Sequence, residues 1–434
     1  MRSSWKIAAI GLVTATAMAL SACGGSTQPS SGHDTAVTGD SLTVWAWDPT
    51  FNVYAMKEAG KVYQKDHPNF TLNVVEVPWE DVQTKLATYA QSGQLDELPD
   101  IFLMQNNAFQ KNATNYPQLF TALTDAGVDY TQYSPSVVNY STVDGVHYGV
   151  PFDNGAAIAA YRTDVLKEAG YTLQDFTDIT WSDFMTKATD VLAKTGKPML
   201  SGLSKSVDLI MMMVISAGGS LFTEDGKPVL VDNEILGKAV AQYQQMVKAG
   251  VFLEVNGWDQ YVNGFVNDGV LGVINGCWIL GSVQTATNQE GDWGLTNLPK
   301  LDGVSSATNY STNGGSSWAI SSKANFGLAA DFLKATFAGS TELYDTILPS
   351  SGALANWIPA GKSSVYEKPQ SFFGGQPIYS TIVDFSTKVP KFTPGAYLYE
   401  AIDALSVAVT KTLSGGDAKA ALQEAQDAVE FAQQ

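Results

Sequence analysis

The sequence predicts an α/β protein with at least one parallel sheet covered by helices on both faces. Two observations carry the prediction. Residues 41–104 run strand, helix, strand, helix, strand, an order that places parallel strands next to one another under crossover helices. About 390 residues follow residue 40, enough for two domains.

The first strand is Ser41 to Trp47. Asn52 to His67 follows as a helix, with Val53, Met56, Ala59, Val62 and Tyr63 on one face and Pro68 as its stop. Phe70 to Val77 is a strand, Glu80 to Ser92 a helix closed by Gly93, and Asp100 to Met104 a short buried strand. After a long irregular stretch the pattern resumes: a strand at Ala157 to Tyr161, a short helix at Asp164 to Ala169, and a helix at Asp183 to Lys194 with Ser182 as N-cap. Asp208 to Ala217 and Asn233 to Ala249 read as helices, Leu271 to Ile274 and Trp293 to Leu295 as buried strands. Ser305 to Ser317 breaks the pattern. Trp318 to Ile320 returns to strand, and Phe326 to Ala338, Pro394 to Leu413 and Asp417 to Ala432 are helices, the last capped by Asp417.

The N-terminus reads differently. Arg2 and Lys6 precede an uncharged, mostly apolar run of fourteen residues, Ile7 to Leu20. A membrane span needs about 20 residues, so this run is expected to be a secretion signal. Leu20-Ser21-Ala22-Cys23 resembles the lipobox of bacterial lipoproteins. That resemblance implies cleavage after residue 22, lipid on Cys23, and a protein held on the outer face of the cell membrane. Residues 23–40 are rich in Ser, Thr and Gly and are expected to form a flexible tether.

Composition excludes several functions. The 25 basic and 43 acidic residues give −18, and loss of Arg2 and Lys6 with the signal takes the mature chain to −20. Such a chain repels phosphate backbones, so no nucleic-acid partner is expected. Arg162 is the only other arginine. With Cys23 on lipid, Cys277 stands alone, which leaves no disulfide and predicts a buried inert thiol. His33, His67 and His147 are scattered, and no metal or cofactor is expected.

The element order and five segments resemble the extracellular solute-binding proteins of bacterial ABC importers, the group that includes maltose-binding protein. The segments are Leu42 to Asp48, Pro99 to Asn107, Tyr148 to Gly155, Gly272 to Trp278, and Phe372 to Gln376 with the helices after it. The resemblance implies a two-lobed fold, each lobe a mainly parallel sheet flanked by helices, joined by hinges. Lobe one is expected at 41–150 plus 313–345, lobe two at 151–312 plus 346–434. It also implies a monomer that captures an oligosaccharide in the cleft and delivers it to membrane permease subunits.

A sugar presents apolar C–H faces and a rim of hydroxyls, so it calls for aromatic rings beside amides and carboxylates. Trp47 and Asp48 fit at the end of the first strand, although strict alternation would turn Trp45 and Trp47 into the same core. Asn106 and Asn107 are expected in the loop after a buried strand. Asp153 corresponds by resemblance to an acidic residue beyond the first hinge. Trp278 follows an Asn275-Gly276 turn that would aim its ring outward. Tyr397, Phe373, Gln376 and Trp357 are further candidates, as are Ser317 and Gly315 at the second crossing between lobes. Trp293 and Trp318 read as core.

Two other functions compete with this one. A secreted glycan hydrolase would need two carboxylates about 5 to 9 Å apart; Asp48 and Asp153 are the only pair suggested. Ala360-Gly361-Lys362-Ser363 lacks the first glycine of a phosphate loop, since Asn356 stands there. A non-sugar ligand, a polyamine or a peptide, suits the acidity, whereas the Trp, Tyr, Asn and Gln content favours a neutral sugar.

Overall fold

The computed structural model describes residues 32–434 except Lys205. The signal segment and Cys23 lie outside the described residues. The fold is α/β and two-lobed. The first sheet has five strands in the order Thr71–Glu76, Ser41–Ala46, Ile101–Gln105, Ser316–Ile320, Val150–Asp153. Its first three strands are parallel, as the alternation of strands and helices predicts. Ser316–Ile320 enters between Ile101–Gln105 and Val150–Asp153, antiparallel to both.

The second sheet is built around Ala157–Arg162, flanked by Gly272–Gly276 and Trp293–Thr296. Both neighbours are antiparallel to it, which corrects the expectation of mainly parallel pairing in this half. For Trp293–Thr296 the reason lies in chain direction: Ala157–Arg162 enters this sheet from the first one, and Trp293–Thr296 leads back toward it. A separate parallel pair, Leu200–Leu203 with Phe252–Val255, lies beside it.

Local chemistry accounts for the helices. Trp181–Thr195 is capped by Thr180, whose hydroxyl accepts from the Asp183 N–H while Asp183 returns the bond. This reciprocal capping box displaces the predicted Ser182 cap by two residues. Asp208–Ser216 is apolar on every side and is buried from Leu209 to Ser216, as such a helix must be. Asp417 caps Ala418–Ala432 as predicted, accepting from the Ala420 N–H at 2.7 Å. The helix predicted from Pro394 starts only at Leu398.

Two expectations about segment limits change. Residues 33–40, read as flexible tether, lie along the helix Phe326–Ala335. The His33 ring packs on Phe326 at 4.9 Å, and Asn325 Nδ2 donates to Thr38 Oγ1 at 2.8 Å. Gly327 permits this approach, because a Cβ there would stand 2.1 Å from the Ala36 carbonyl oxygen. The boundary drawn between 150 and 151 falls inside the strand Val150–Asp153, and the one between 345 and 346 inside the helix Thr341–Ser351.

Candidate functional site

The chain passes between the two sheets at three places that lie side by side. The first joins Val150–Asp153 to Ala157–Arg162 through residues 154–156. The second is 312–315, before Ser316–Ile320. The third is near Leu354 and Ala355, which pair with Asn154 and Asp153. Ala156 bridges Thr312, and Asn313 N donates to the Gly155 oxygen at 2.7 Å. Close approach demands glycine here. A Cβ on Gly155 would stand 2.7 Å from the Gly314 oxygen, and Gly315 has φ +88°, a region costly for other residues.

A cavity of about 850 Å³ opens over these crossings. Trp47 and Asp48 line it from the first sheet. The strand ends at Ala46, so alternation no longer ties Trp47 to the face of Trp45. Trp45 is buried, while Trp47 is half-buried against Trp79 at 5.1 Å. Asn52 fixes this turn: its Oδ1 accepts from the N–H groups of Trp47 at 3.0 Å and Asp48 at 2.9 Å. Asp48 Oδ1 in turn accepts from the N–H groups of Thr50 at 2.8 Å and Phe51 at 3.0 Å.

Asn106 and Asn107 do not sit in a loop. They begin the helix Asn106–Asn115 directly after the strand Ile101–Gln105. Asn107 lines the cavity. Asn106 is buried beneath it, accepting from the Ser317 hydroxyl at 3.0 Å while its N–H donates to the Gly315 oxygen at 3.0 Å. Ser317 is therefore a support for Asn106 rather than a cavity group, and Gly314, Gly315 and Ser316 are the residues of this segment that reach the cavity.

Asp153 is 7 % exposed and lines the cavity at the first crossing. The Ser316 hydroxyl donates to its Oδ1. Burial outweighs that bond and pushes the carboxyl up to about 6. No lysine, arginine or histidine pairs with it among the described residues.

On the facing side, Gly272–Gly276 ends and a short turn carries Cys277 and Trp278 into the cavity. Trp278 is 40 % exposed, and its indole N–H donates to the Asn313 oxygen at 3.0 Å. Held by one edge, the ring stays part-exposed at the cavity. Burial raises the Cys277 thiol far above its usual range, as expected of an inert core cysteine. Trp258, which the sequence reading passed over, is 44 % exposed and stands 6.0 Å from Trp278. A signal for it existed: Trp258-Asp259 repeats the Trp-Asp pair of Trp47-Asp48 at an element boundary. Gln105, Phe51 and Gln284 also line the cavity without having been singled out.

Four expected residues stand elsewhere. Phe373 is fully buried against Phe372. Gln376 clamps an edge strand, its Oε1 accepting from Leu295 N at 2.8 Å and its Nε2 donating to Leu295 O at 3.1 Å. Trp357 is partly buried and packs on the hydrophobic core that runs through both sheets. Tyr397 precedes the helix Leu398–Leu413 with the Lys111 ammonium 5.8 Å from its ring centre. Each belongs to a segment whose aromatic or amide the surrounding core or strand edge consumes. Trp293 and Trp318 are core, as predicted. No cluster of His, Cys, Asp or Glu suited to a metal occurs among the described residues, and no described helix is long and apolar enough to cross a membrane.

Two α/β lobes joined by adjacent crossings, with a cavity of rings, amides and carboxylates over the joint, define a two-lobed solute-binding protein. The chain belongs to the bacterial extracellular solute-binding protein family, whose sequence profile matches residues 58–379. It is 36 % identical over 377 residues to the lactose-binding protein of Rhizobium radiobacter, covering 87 % of this chain and 88 % of that one. Among solved structures, an extracellular solute-binding protein of family 1 superposes with a TM-score of 0.76 at 19 % identity, covering 90 % of this chain and 100 % of the other. The sugar-binding protein MalE of Xanthomonas citri superposes with a TM-score of 0.75 at 18 % identity, covering 90 % and 96 %.

Proposed function

We propose that this protein is the substrate-binding component of an ABC importer and captures an oligosaccharide of two to a few units. The observation that carries the reading is the pairing of part-exposed rings with hydrogen-bonding groups in one cavity: Trp47 and Trp278 with Asp48, Asn107 and Asp153. The 36 % identity to a lactose-binding protein supports the same ligand class. The work done is capture and release with no bond made or broken; the closed lobes then dock on membrane permease subunits. The protein acts as a monomer, tethered through lipid on Cys23 to the outer face of the membrane. Lobe one takes residues 41–153 and 316–351, and lobe two the intervening and following segments, with the crossings as hinges. Holding the binder at the membrane raises its effective concentration at the permease.

A calorimetric screen against glycans, peptides and polyamines tests the reading. Saturable heat from a di- or trisaccharide is expected. Binding confined to a peptide or polyamine, or sugar cleavage during the titration, refutes it.

A further inference from the structure

The cavity's charges are one-sided. Among the described residues, Asp48 and Asp153 are its only charged side chains, and no lysine, arginine or histidine lines it. A smaller chamber adjoins it, sharing Asn107 and Gly314, and a second shares Asp208 with that chamber; among the described residues neither contributes a base. Lys111, on the helix that begins at Asn106, is engaged by Glu400. The chain holds 25 lysines and arginines, yet the described lining of these three chambers carries none.

We infer that the cleft selects its sugar by charge, admitting neutral or basic oligosaccharides and rejecting acidic ones, with Asp48 and Asp153 as the discriminating residues. This rests on the oligosaccharide reading above. A carboxylate brought into this cavity would lose water and gain no cation, while facing a buried Asp153. Like charges repel more strongly where the surroundings are poorly polarisable. The positive features are the first turns of Asn106–Asn115 and Asn52–Tyr63, each worth about half a charge. The first N–H of the former is already bonded to Gly315, and Asp48 itself accepts from the N–H groups of Thr50 and Phe51 ahead of the latter. They do not offset two carboxylates. Neutral hydroxyls, by contrast, can donate to both aspartates. A protonated amine would be attracted for the same reason that an acid is repelled.

The test uses the mature chain and calorimetry. A panel of neutral di- and trisaccharides identifies a bound sugar, and its C6-oxidised uronic derivatives are then titrated, one for each ring. Every uronic derivative is expected to bind at least tenfold more weakly than its parent. In Asp153→Asn and Asp48→Asn the ratio of neutral to acidic affinity is expected to narrow by at least threefold, whatever happens to the absolute affinities. Acid and parent binding within threefold of each other overturns the inference, as does a ratio that neither substitution changes, since rejection is then steric. Binding of acidic sugars without any neutral one also overturns it. If no sugar of either kind binds, the oligosaccharide reading itself fails.

Discussion

Replacing Asp153 with asparagine should make the protein more stable at neutral pH and should abolish one component of its pH dependence. Burial moves this carboxyl from 3.8 to about 6. The sign follows from proton binding. Below the ordinary value both folded and unfolded chains hold the proton, and the residue costs nothing. Between 3.8 and about 6 the folded chain holds more of the proton, so stability falls as pH rises. Above about 6 the charge is buried in full, at a cost of about 3 kcal/mol. Asparagine keeps an oxygen to accept from the Ser316 hydroxyl and carries no charge. Urea unfolding of both proteins at pH 4 and pH 7.5 measures the difference. The advantage of Asp153→Asn over wild type should grow by about 2–3 kcal/mol between the two pH values. An advantage that is the same at both would show that the cavity hydrates Asp153 as well as water does, and the reasoning would fail.

Trp278→Ala should weaken glycan binding by about 1.5–3 kcal/mol, the worth of covering a large ring, read by calorimetry; an unchanged affinity would return Trp278 to a structural role. Gly315→Ala should lower the unfolding midpoint and disturb Asn106, because the added Cβ stands 2.8 Å from Asn106 Nδ2 at a φ of +88°; a cost of about 1–3 kcal/mol is expected for such strain. Gln376→Ala should destabilise by about 1–3 kcal/mol through the Leu295 groups it leaves unpaired, with glycan affinity within twofold of wild type. A large affinity loss there would put Gln376 back in the site.

Much of the first lobe was legible because its strands and helices alternate cleanly. Residues 41–104 show a period of two and then of 3.6, and the parallel pairing follows from that order. The antiparallel second sheet was not legible. Short buried runs such as Gly272–Gly276 look the same in either direction, and direction is set by where the chain enters from. Trp47, Asp48, Asn107, Asp153 and Trp278 share one trait that sequence can reveal: each lies at or just beyond a strand end. Phe373, Gln376, Trp357 and Tyr397 follow no strand; resemblance proposed Phe373, Gln376 and Tyr397, and an aromatic in a loop proposed Trp357. A polar or aromatic residue in a loop is as readily spent on core or backbone as on a ligand.

The same distinction explains why the site and the joint are inseparable. Asp153 is the last residue of its strand, bonded to Ser316 of the returning segment and paired with Ala355 of the third. Asn106 beneath the cavity is tied through its N–H to Gly315 and through its side chain to Ser317. A ligand that hydrogen-bonds Asp153 or Asn107 therefore acts on the residues about which the lobes must turn. Such a ligand shifts the lobes only by the difference in its affinity for the open and closed arrangements. On the oligosaccharide reading, Trp278 would supply that difference. Its indole N–H holds Asn313 at the second crossing, and its part-exposed ring lines the same cavity as Trp47. A sugar touching both walls gains both rings only when the crossings allow them to approach, so ring burial favours closure, whereas contact with one wall alone would not.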